Sequence, residues 1–276
     1  MTVATLREIL DVARAGSFGV AGLVVLGWED ARAFAEAADE TGLPIVLQAG
    51  PGARRHTPVA VLGAMFRHVA ENARVPVACH IDHATTLDEC LRGIEAGFTS
   101  VMIDGSSLPL AENIALTRRV VEAARASGVS VEGEVGYVGY AGGPASAFTA
   151  PDDAVRFAAE TEVDALAVSV GNVHLQTEKT RGIDMAALGA IAAVTQVPLV
   201  LHGGSGIDPV TRRLLARQYR VAKFNIGTEL RQAFGGALRQ VLAEHPERFD
   251  RNEILSATIP GLRAAARDVI TNLGPD

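Results

Sequence analysis

The chain has 276 residues, 48% of them hydrophobic and 21% charged, with 28 glycines, two cysteines and a formal charge of −7. This composition excludes a disordered, collagen-like or disulfide-stapled chain, and the length suits one α/β barrel or two small domains. The acidic balance, without any Lys/Arg run, argues against a nucleic-acid partner. A chain of this size buries roughly three quarters of its unfolded surface, so metal ligands would serve catalysis rather than stability.

Cys79 and Cys90 fall on a predicted strand and the helix after it, and read as reduced thiols. The start, Met1-Thr2-Val3-Ala4-Thr5-Leu6-Arg7-Glu8, lacks the pattern of an export signal. The longest uncharged stretch, Met185 to Ile207, is broken by Thr195, Gln196, Pro198 and His202, which disqualifies it as a membrane span. A cytoplasmic location with no membrane partner is expected.

Apolar runs rich in Val, Ile and Leu start near Phe18, Pro44, Pro76, Thr99, Val129, Asp164, Val197 and Val221, as strands buried on both faces should. Between them, helical spacing of apolar residues runs over Trp28–Thr41, Val59–Asn72, Thr86–Ala96, Ala111–Ser127, Asp152–Glu162, Met185–Thr195 and Pro209–Arg217. Strand starts lie about 29 residues apart, near the roughly 30 of a βα unit, and Gly42, Gly97 and Gly128 mark helix-to-strand turns. Eight such units predict a (β/α)8 TIM barrel forming one catalytic domain over residues 1–276. Thr228–Ala243 and Glu253–Ile270 add C-terminal helices. A doubly wound sheet would want a Gly-rich loop after its first strand, whereas Gly16, Gly19 and Gly22 come at or before it.

Barrel active sites lie where strands end. Here those ends read His80-Ile81-Asp82-His83, Met102-Ile103-Asp104-Gly105-Ser106, Val131-Glu132-Gly133-Glu134-Val135-Gly136, Gly171-Asn172-Val173-His174, His202-Gly203-Gly204-Ser205-Gly206 and Lys223-Phe224-Asn225-Ile226-Gly227-Thr228. His83, His174 and His202, at equivalent positions on three strands, form a candidate three-nitrogen zinc site with an open position. Taken singly, each is equally an ordinary hydrogen-bonded loop histidine. Asp104 and Glu134 are further ligands or alternatives to an imidazole, and Glu132 shares a face with Glu134; any of the three can instead pair with a cation. His80 either supports a ligand or packs in the core. The turn Gly203-Gly204-Ser205, ahead of a helix near Asp208-Pro209, offers backbone N–H groups to an anion, and Asn225 and Thr228 stand after the eighth strand, where barrels commonly bind phosphate. Without a ligand the same turn is simply tight.

These six motifs, in order and spacing, resemble those of the class II, zinc-dependent ketose-bisphosphate aldolases of the tagatose/fructose-bisphosphate type, over nearly the whole chain. The resemblance implies a barrel in which His83, His174 and His202 hold Zn²⁺ or another divalent metal, with room for a monovalent cation. It implies Asp82 as the acid/base at the cleaved hydroxyl. Gly203, Gly204 and Ser205, with Asn225, Gly227 and Thr228, would hold dihydroxyacetone phosphate. A small sugar phosphate would be the substrate of a homodimer or homotetramer. The expected activity is reversible cleavage of a ketose 1-phosphate or 1,6-bisphosphate to dihydroxyacetone phosphate and an aldehyde. The rivals are an aldolase with an unphosphorylated or otherwise modified aldehyde, a zinc hydrolase on the same barrel, and a catalytically idle barrel serving as a binding partner or scaffold. A lysine-based mechanism would draw on Lys179 or Lys223 and leave the histidines unexplained.

Departures from the family pattern are equally specific. Its loop after the fifth strand usually carries an acidic residue that moves a proton on the dihydroxyacetone carbon, but Val135 to Ala150 contains no Asp or Glu. Tyr137, Tyr140 or solvent would have to substitute, and a phenol with a pKa of about 10 is a poor base. Leu175 stands where the family commonly has Gly, Val24 where it often has Asn, and Gly50 where it has a small polar residue. Arg54 and Arg55 are candidate contacts for an anionic group on the aldehyde side, against the alternative of a solvated basic loop that includes His56. Arg263 and Arg267, four apart, are weaker candidates.

Overall fold

The computed structural model describes residues 2–143, 145–178 and 182–275. Its strands are β1 (Val3–Ala4), β2 (Val20–Val24), β3 (Ile45–Ala49), β4 (Val77–Ala84), β5 (Ser100–Ile103), β6 (Ser130–Val135), β7 (Ala165–Val168), β8 (Leu199–Leu201) and β9 (Val221–Ile226). β2 to β9 pair in parallel and in chain order, and the ring closes through β2 and β9, which makes a (β/α)8 barrel. Each of these eight begins within two residues of its predicted start. The outer ring comprises α2 (Trp28–Thr41), α4 (Val59–Asn72), α5 (Leu87–Glu95), α6 (Leu110–Ala126), α7 (Pro151–Thr161), α8 (Met185–Val194) and α9 (Pro209–Gln218). Phe34, Phe66, Phe98 and Phe157 fill the layer between helices and strands.

Two elements at the start were not anticipated. β1 pairs with the beginning of β4, and α1 (Leu6–Ala15) follows. The helix opens on a capping box in which Thr5 Oγ1 accepts from Glu8 N–H and the Glu8 carboxylate accepts from Thr5 N–H. Its buried stripe of Leu6, Ile9, Leu10 and Ala13 packs on Val46, Ala78, Ala167 and Val200, inward residues of the barrel's N-terminal end. That end is therefore stoppered by a helix, and the polar residues higher in the barrel are sealed from below.

Above this apolar plug the inward residues become polar: Gln48, His80, Glu132 and Lys223 all have zero exposure. β9 carries one extra residue against β8, because Leu199 pairs with Val221 but Val200 with Lys223. The basic stretch after β3 is a short helix, α3 (Pro51–His56), rather than a loop. At the C-terminus, α10 (Thr228–Glu244) is as predicted, but the second expected helix is two. α11 (Arg251–Ser256) ends where Thr258 Oγ1 donates to Leu255 O, and α12 (Ile259–Leu273) restarts with Pro260 in its first turn. Among the described residues no helix is long and apolar enough to cross a membrane.

Candidate active site

The pairing of β4 with β5 slips between Ile81 and Ala84, so Asp82 and His83 occupy a bulge in which His83 adopts φ +52°. In an unbroken strand these neighbours would face opposite sides of the sheet. The bulge turns both toward the cavity at the barrel mouth, at the cost of a backbone conformation that β-carbon-bearing residues seldom adopt.

His83 and His174 line that cavity and His202 is buried behind them, the three ring centroids 4.6 to 5.5 Å apart, and each offers a nitrogen within 4.8 Å of the others'. Their hydrogen bonds leave specific nitrogens over. His83 Nδ1 lies 2.8 Å from Asp104 Oδ2 and His202 Nε2 lies 3.1 Å from Glu132 Oε1. Since carboxylates only accept, those ring nitrogens carry the protons. His83 Nε2 and His202 Nδ1 are then buried without a hydrogen bond, the latter 3.2 Å from Glu134 Oε2. Orphaned imidazole nitrogens aimed at one point, each backed by a carboxylate, form a donor set that fits a divalent transition metal. Asp104 thus backs a ring, although with His83 and Glu134 it forms a second group able to hold a metal.

The electrostatics follow from this crowding. Burial would push the Asp82 carboxyl up, but His83, His202 and Lys223 outweigh it and hold the pKa below its ordinary value. Burial likewise opposes charge on His202, yet Glu132 and Glu134 on either side push its pKa up to about 10. His174 is driven well below the usual range, first by burial and then by the two other rings. His80, buried near Lys223, is pushed down to about 3 and is a neutral core ring bonded to Ser100 Oγ.

Beside the histidines lies a cradle of backbone donors. Gly203 adopts φ +67°, and a Cβ there would sit 2.1 Å from Val173 O, so only glycine makes the turn. Ser205 Oγ accepts from Gly227 N–H and Glu229 N–H at the start of α10, which leaves its own proton free to donate. Arg212 clamps Glu229 through both carboxylate oxygens and fixes α9 against α10. Gly203, Ser205, Asn225, Gly227 and Thr228 all line a cavity of about 340 Å³ shared with Asp82, His83 and His174. Gly204 does not; it packs against Ile226 and Asn225 of β9.

The model of the class-II fructose-bisphosphate aldolase family matches residues 4–275. The chain belongs to this family. Its members are metal-dependent lyases acting on small sugar phosphates. Similar solved structures include the YdjI aldolase from Escherichia coli K12, at 28% identity and TM-score 0.86 over 99% of this chain and 98% of that one. A putative fructose-1,6-biphosphate aldolase from Coccidioides immitis matches at 25% identity and TM-score 0.86, over 99% of this chain and 98% of that one. The fructose-bisphosphate aldolase Fba of Campylobacter jejuni shares the fold at 22% identity and TM-score 0.81, over 98% and 95% of the two chains.

Against the aldolase pattern, several candidates sit differently from expectation. Arg54 does not line this cavity: its guanidinium donates to the carbonyls of Ala49, Asp82 and His83 and so ties α3 to the ends of β3 and β4. Its neighbour Arg55 does line the cavity. Glu132 is spent on Lys223 and His202, and Lys223 is buried beneath the cavity rather than lining it. Lys179 lies outside the described residues. Arg263 pairs with Glu36 and Glu40 and Arg267 with Asp268, on the surface of α12. Arg231, one turn into α10, was not singled out from the sequence, yet it lines the cavity and donates to Thr228 Oγ1.

The loop without an acid is pinned by backbone bonds: His174 N–H donates to Gly139 O and Ala141 N–H to His174 O. They bring the Tyr140 ring onto His174, with centroids 4.8 Å apart. Burial, then Asp104, raises the Tyr140 pKa above its ordinary value, which makes the phenol a still poorer base. Leu175 keeps φ +59°, the glycine-like backbone, while its side chain lines the cavity.

Proposed function

We propose that this chain is a zinc-dependent aldolase, one catalytic domain over residues 1–276, that reversibly cleaves a ketose 1-phosphate or 1,6-bisphosphate to dihydroxyacetone phosphate and an aldehyde. The observation that carries this reading is the pair of orphaned nitrogens, His83 Nε2 and His202 Nδ1, facing His174 beside a buried carboxylate. Three imidazoles suit zinc, with the proton that His202 carries in the metal-free protein displaced on binding.

When bound, the metal supplies Lewis-acid stabilisation of the negative charge that develops on the former ketone oxygen during carbon–carbon cleavage. Asp82, ionised and oriented by Asn225, accepts the proton of the hydroxyl whose carbon becomes the aldehyde, and returns it in condensation. The Ser205 hydroxyl, with its proton free to donate, and Thr228 at the positive end of α10 hold the phosphate, and so fix the distance between Asp82 and the scissile bond. Tyr140 stacks on His174 and covers one face of its ring.

One observation favours the variant with a modified aldehyde. Beyond the metal and phosphate positions the cavity wall includes the apolar Val24, Leu26, Pro51 and Leu175, with the cations Arg55 and Arg231 and the polar Tyr140 and Gln176 among them. Two arginines in a partly apolar wall suit an anionic, modified aldehyde. We also propose a cytoplasmic homodimer or homotetramer, which sedimentation of the purified protein tests.

The test of function is to incubate zinc-loaded protein with dihydroxyacetone phosphate and a panel of aldehydes, and to follow exchange of the carbon-bound proton with solvent. Exchange above that of His174→Ala, with condensation of at least one aldehyde, is expected. A rate equal to that of His174→Ala, with no aldehyde accepted, ends the aldolase reading.

A further inference from the structure

Lys223 has no part in the chemistry above, yet its side chain is fully buried. A buried ammonium is costly unless paired and hydrogen-bonded, so its retention inside the barrel needs a cause. Its Nζ donates to Glu132 Oε2 at 2.6 Å, and the other oxygen of the same carboxylate accepts from His202 Nε2 at 3.1 Å. Three side chains from β9, β6 and the end of β8 therefore form one chain of contacts that ends at a candidate ligand.

The fold makes room for that chain. A Cβ on Gly22 would stand 3.0 Å from Lys223 Cε and 1.7 Å from Gln48 Oε1, so glycine on β2 lets both side chains cross the barrel interior. The extra residue in β9 restarts the pairing at Lys223 and leaves it, like Asn225, facing inward. His80 does not compete for the carboxylate, since its Nε2 stands 3.8 Å from Glu132, beyond hydrogen-bond reach.

A carboxylate held by an ammonium on one oxygen remains an acceptor on the other. The ring nitrogen facing it keeps its proton, so once a metal displaces the other proton the lone pair falls on Nδ1, which has no hydrogen bond and lies within 4.8 Å of ligand atoms of His83 and His174. An uncharged group in place of Lys223 would leave Glu132 free to swing or to take a proton, and the ring free to turn.

We propose that Lys223 is a positioning residue for the metal: through Glu132 it fixes the orientation and tautomer in which His202 offers Nδ1 as a ligand. This inference rests on the reading of His202 as a ligand. It accounts for a buried lysine that a Schiff-base role cannot, because Lys223 does not line the cavity.

The test is Zn²⁺ titration of metal-stripped full-length protein against a chromophoric chelator, with visible absorption of the Co²⁺-substituted protein as the report on ligand geometry. Lys223→Met and the near-isosteric Glu132→Gln are each expected to weaken Zn²⁺ binding by about 10- to 100-fold and to alter the Co²⁺ spectrum, with far-ultraviolet circular dichroism unchanged. A purely structural role would lower thermal stability and leave affinity and spectrum alone. Binding within about twofold of wild type in Glu132→Gln, with an unaltered Co²⁺ spectrum, overturns the proposal; that variant decides if Lys223→Met does not fold. Should wild type take up neither ion, the metal site itself is wrong, a failure separate from that of the positioning role.

Discussion

Asn225 Nδ2 donates to Asp82 Oδ1 at 3.1 Å, joining β9 to the bulge of β4 across the barrel mouth. The second oxygen, Oδ2, lies 3.5 Å from where a Cβ on Gly50 would stand, on the cavity side. One oxygen is thus held and the other is left to exchange a proton.

That division of labour predicts separable defects. Asp82→Asn should lower kcat for cleavage by about 10²- to 10⁴-fold while zinc affinity stays near wild type, because the imidazoles are untouched. Asn225→Ala should lower kcat less, since the carboxylate remains but is no longer aimed. Steady-state kinetics alongside zinc titration checks both, and near-normal turnover by Asp82→Asn would remove it from the chemistry.

Metal removal is expected to abolish cleavage, and zinc to restore it. Zinc at 100 times its Kd should stabilise the fold by about 2.7 kcal/mol, which appears as a higher Tm in the metal-loaded protein. His83→Ala and His174→Ala should each lose that increment. Equal melting of stripped and zinc-loaded wild type would argue against a metal at the three rings.

The barrel was legible because its strands are buried on both faces and its chemistry sits at their ends, where apolar runs give way to His, Asp and Gly. α1 was legible in principle: Thr5 and Glu8 have capping-box spacing and Leu6, Ile9, Leu10 and Ala13 share a face. The bulge at Asp82–His83 was not, since a one-residue slip exists only relative to β5. Nor was the Lys223–Glu132 pair, 91 residues apart, whose partners meet only when the ring closes. Arg54 and Arg55 look interchangeable in the sequence, and only the side of α3 on which each falls separates them.

The carboxylates flanking His202 tie metal binding to pH. Its pKa in the fold is about 10, above the ordinary value of 6.5, so its charge stabilises the metal-free protein. The contribution is fully present below about pH 6.5 and fades as pH rises through about 10. His202→Gln should flatten the stability of metal-free protein over that window in urea denaturation. Zinc must displace a proton from this ring, so uptake at pH 7.5 should release protons measurable with an indicator dye in weak buffer. Uptake without proton release would mean that His202 is not charged before the metal arrives.

Arg54 and Arg55 should fail in opposite ways. Arg54 donates to three carbonyls at the ends of β3 and β4, and charge-assisted bonds of this kind, half-buried, contribute about 2 to 3 kcal/mol together. Arg54→Lys cannot reproduce the planar fork that spans two strands. It should lower the urea midpoint and disturb the bulge that carries Asp82 and His83, so kcat falls with stability. Arg55 lines the cavity, so Arg55→Ala should leave the urea midpoint near wild type and raise KM for an anionic aldehyde more than for a neutral one. A stability loss confined to Arg55→Ala, or a KM effect confined to Arg54→Lys, would show the two assignments to be reversed.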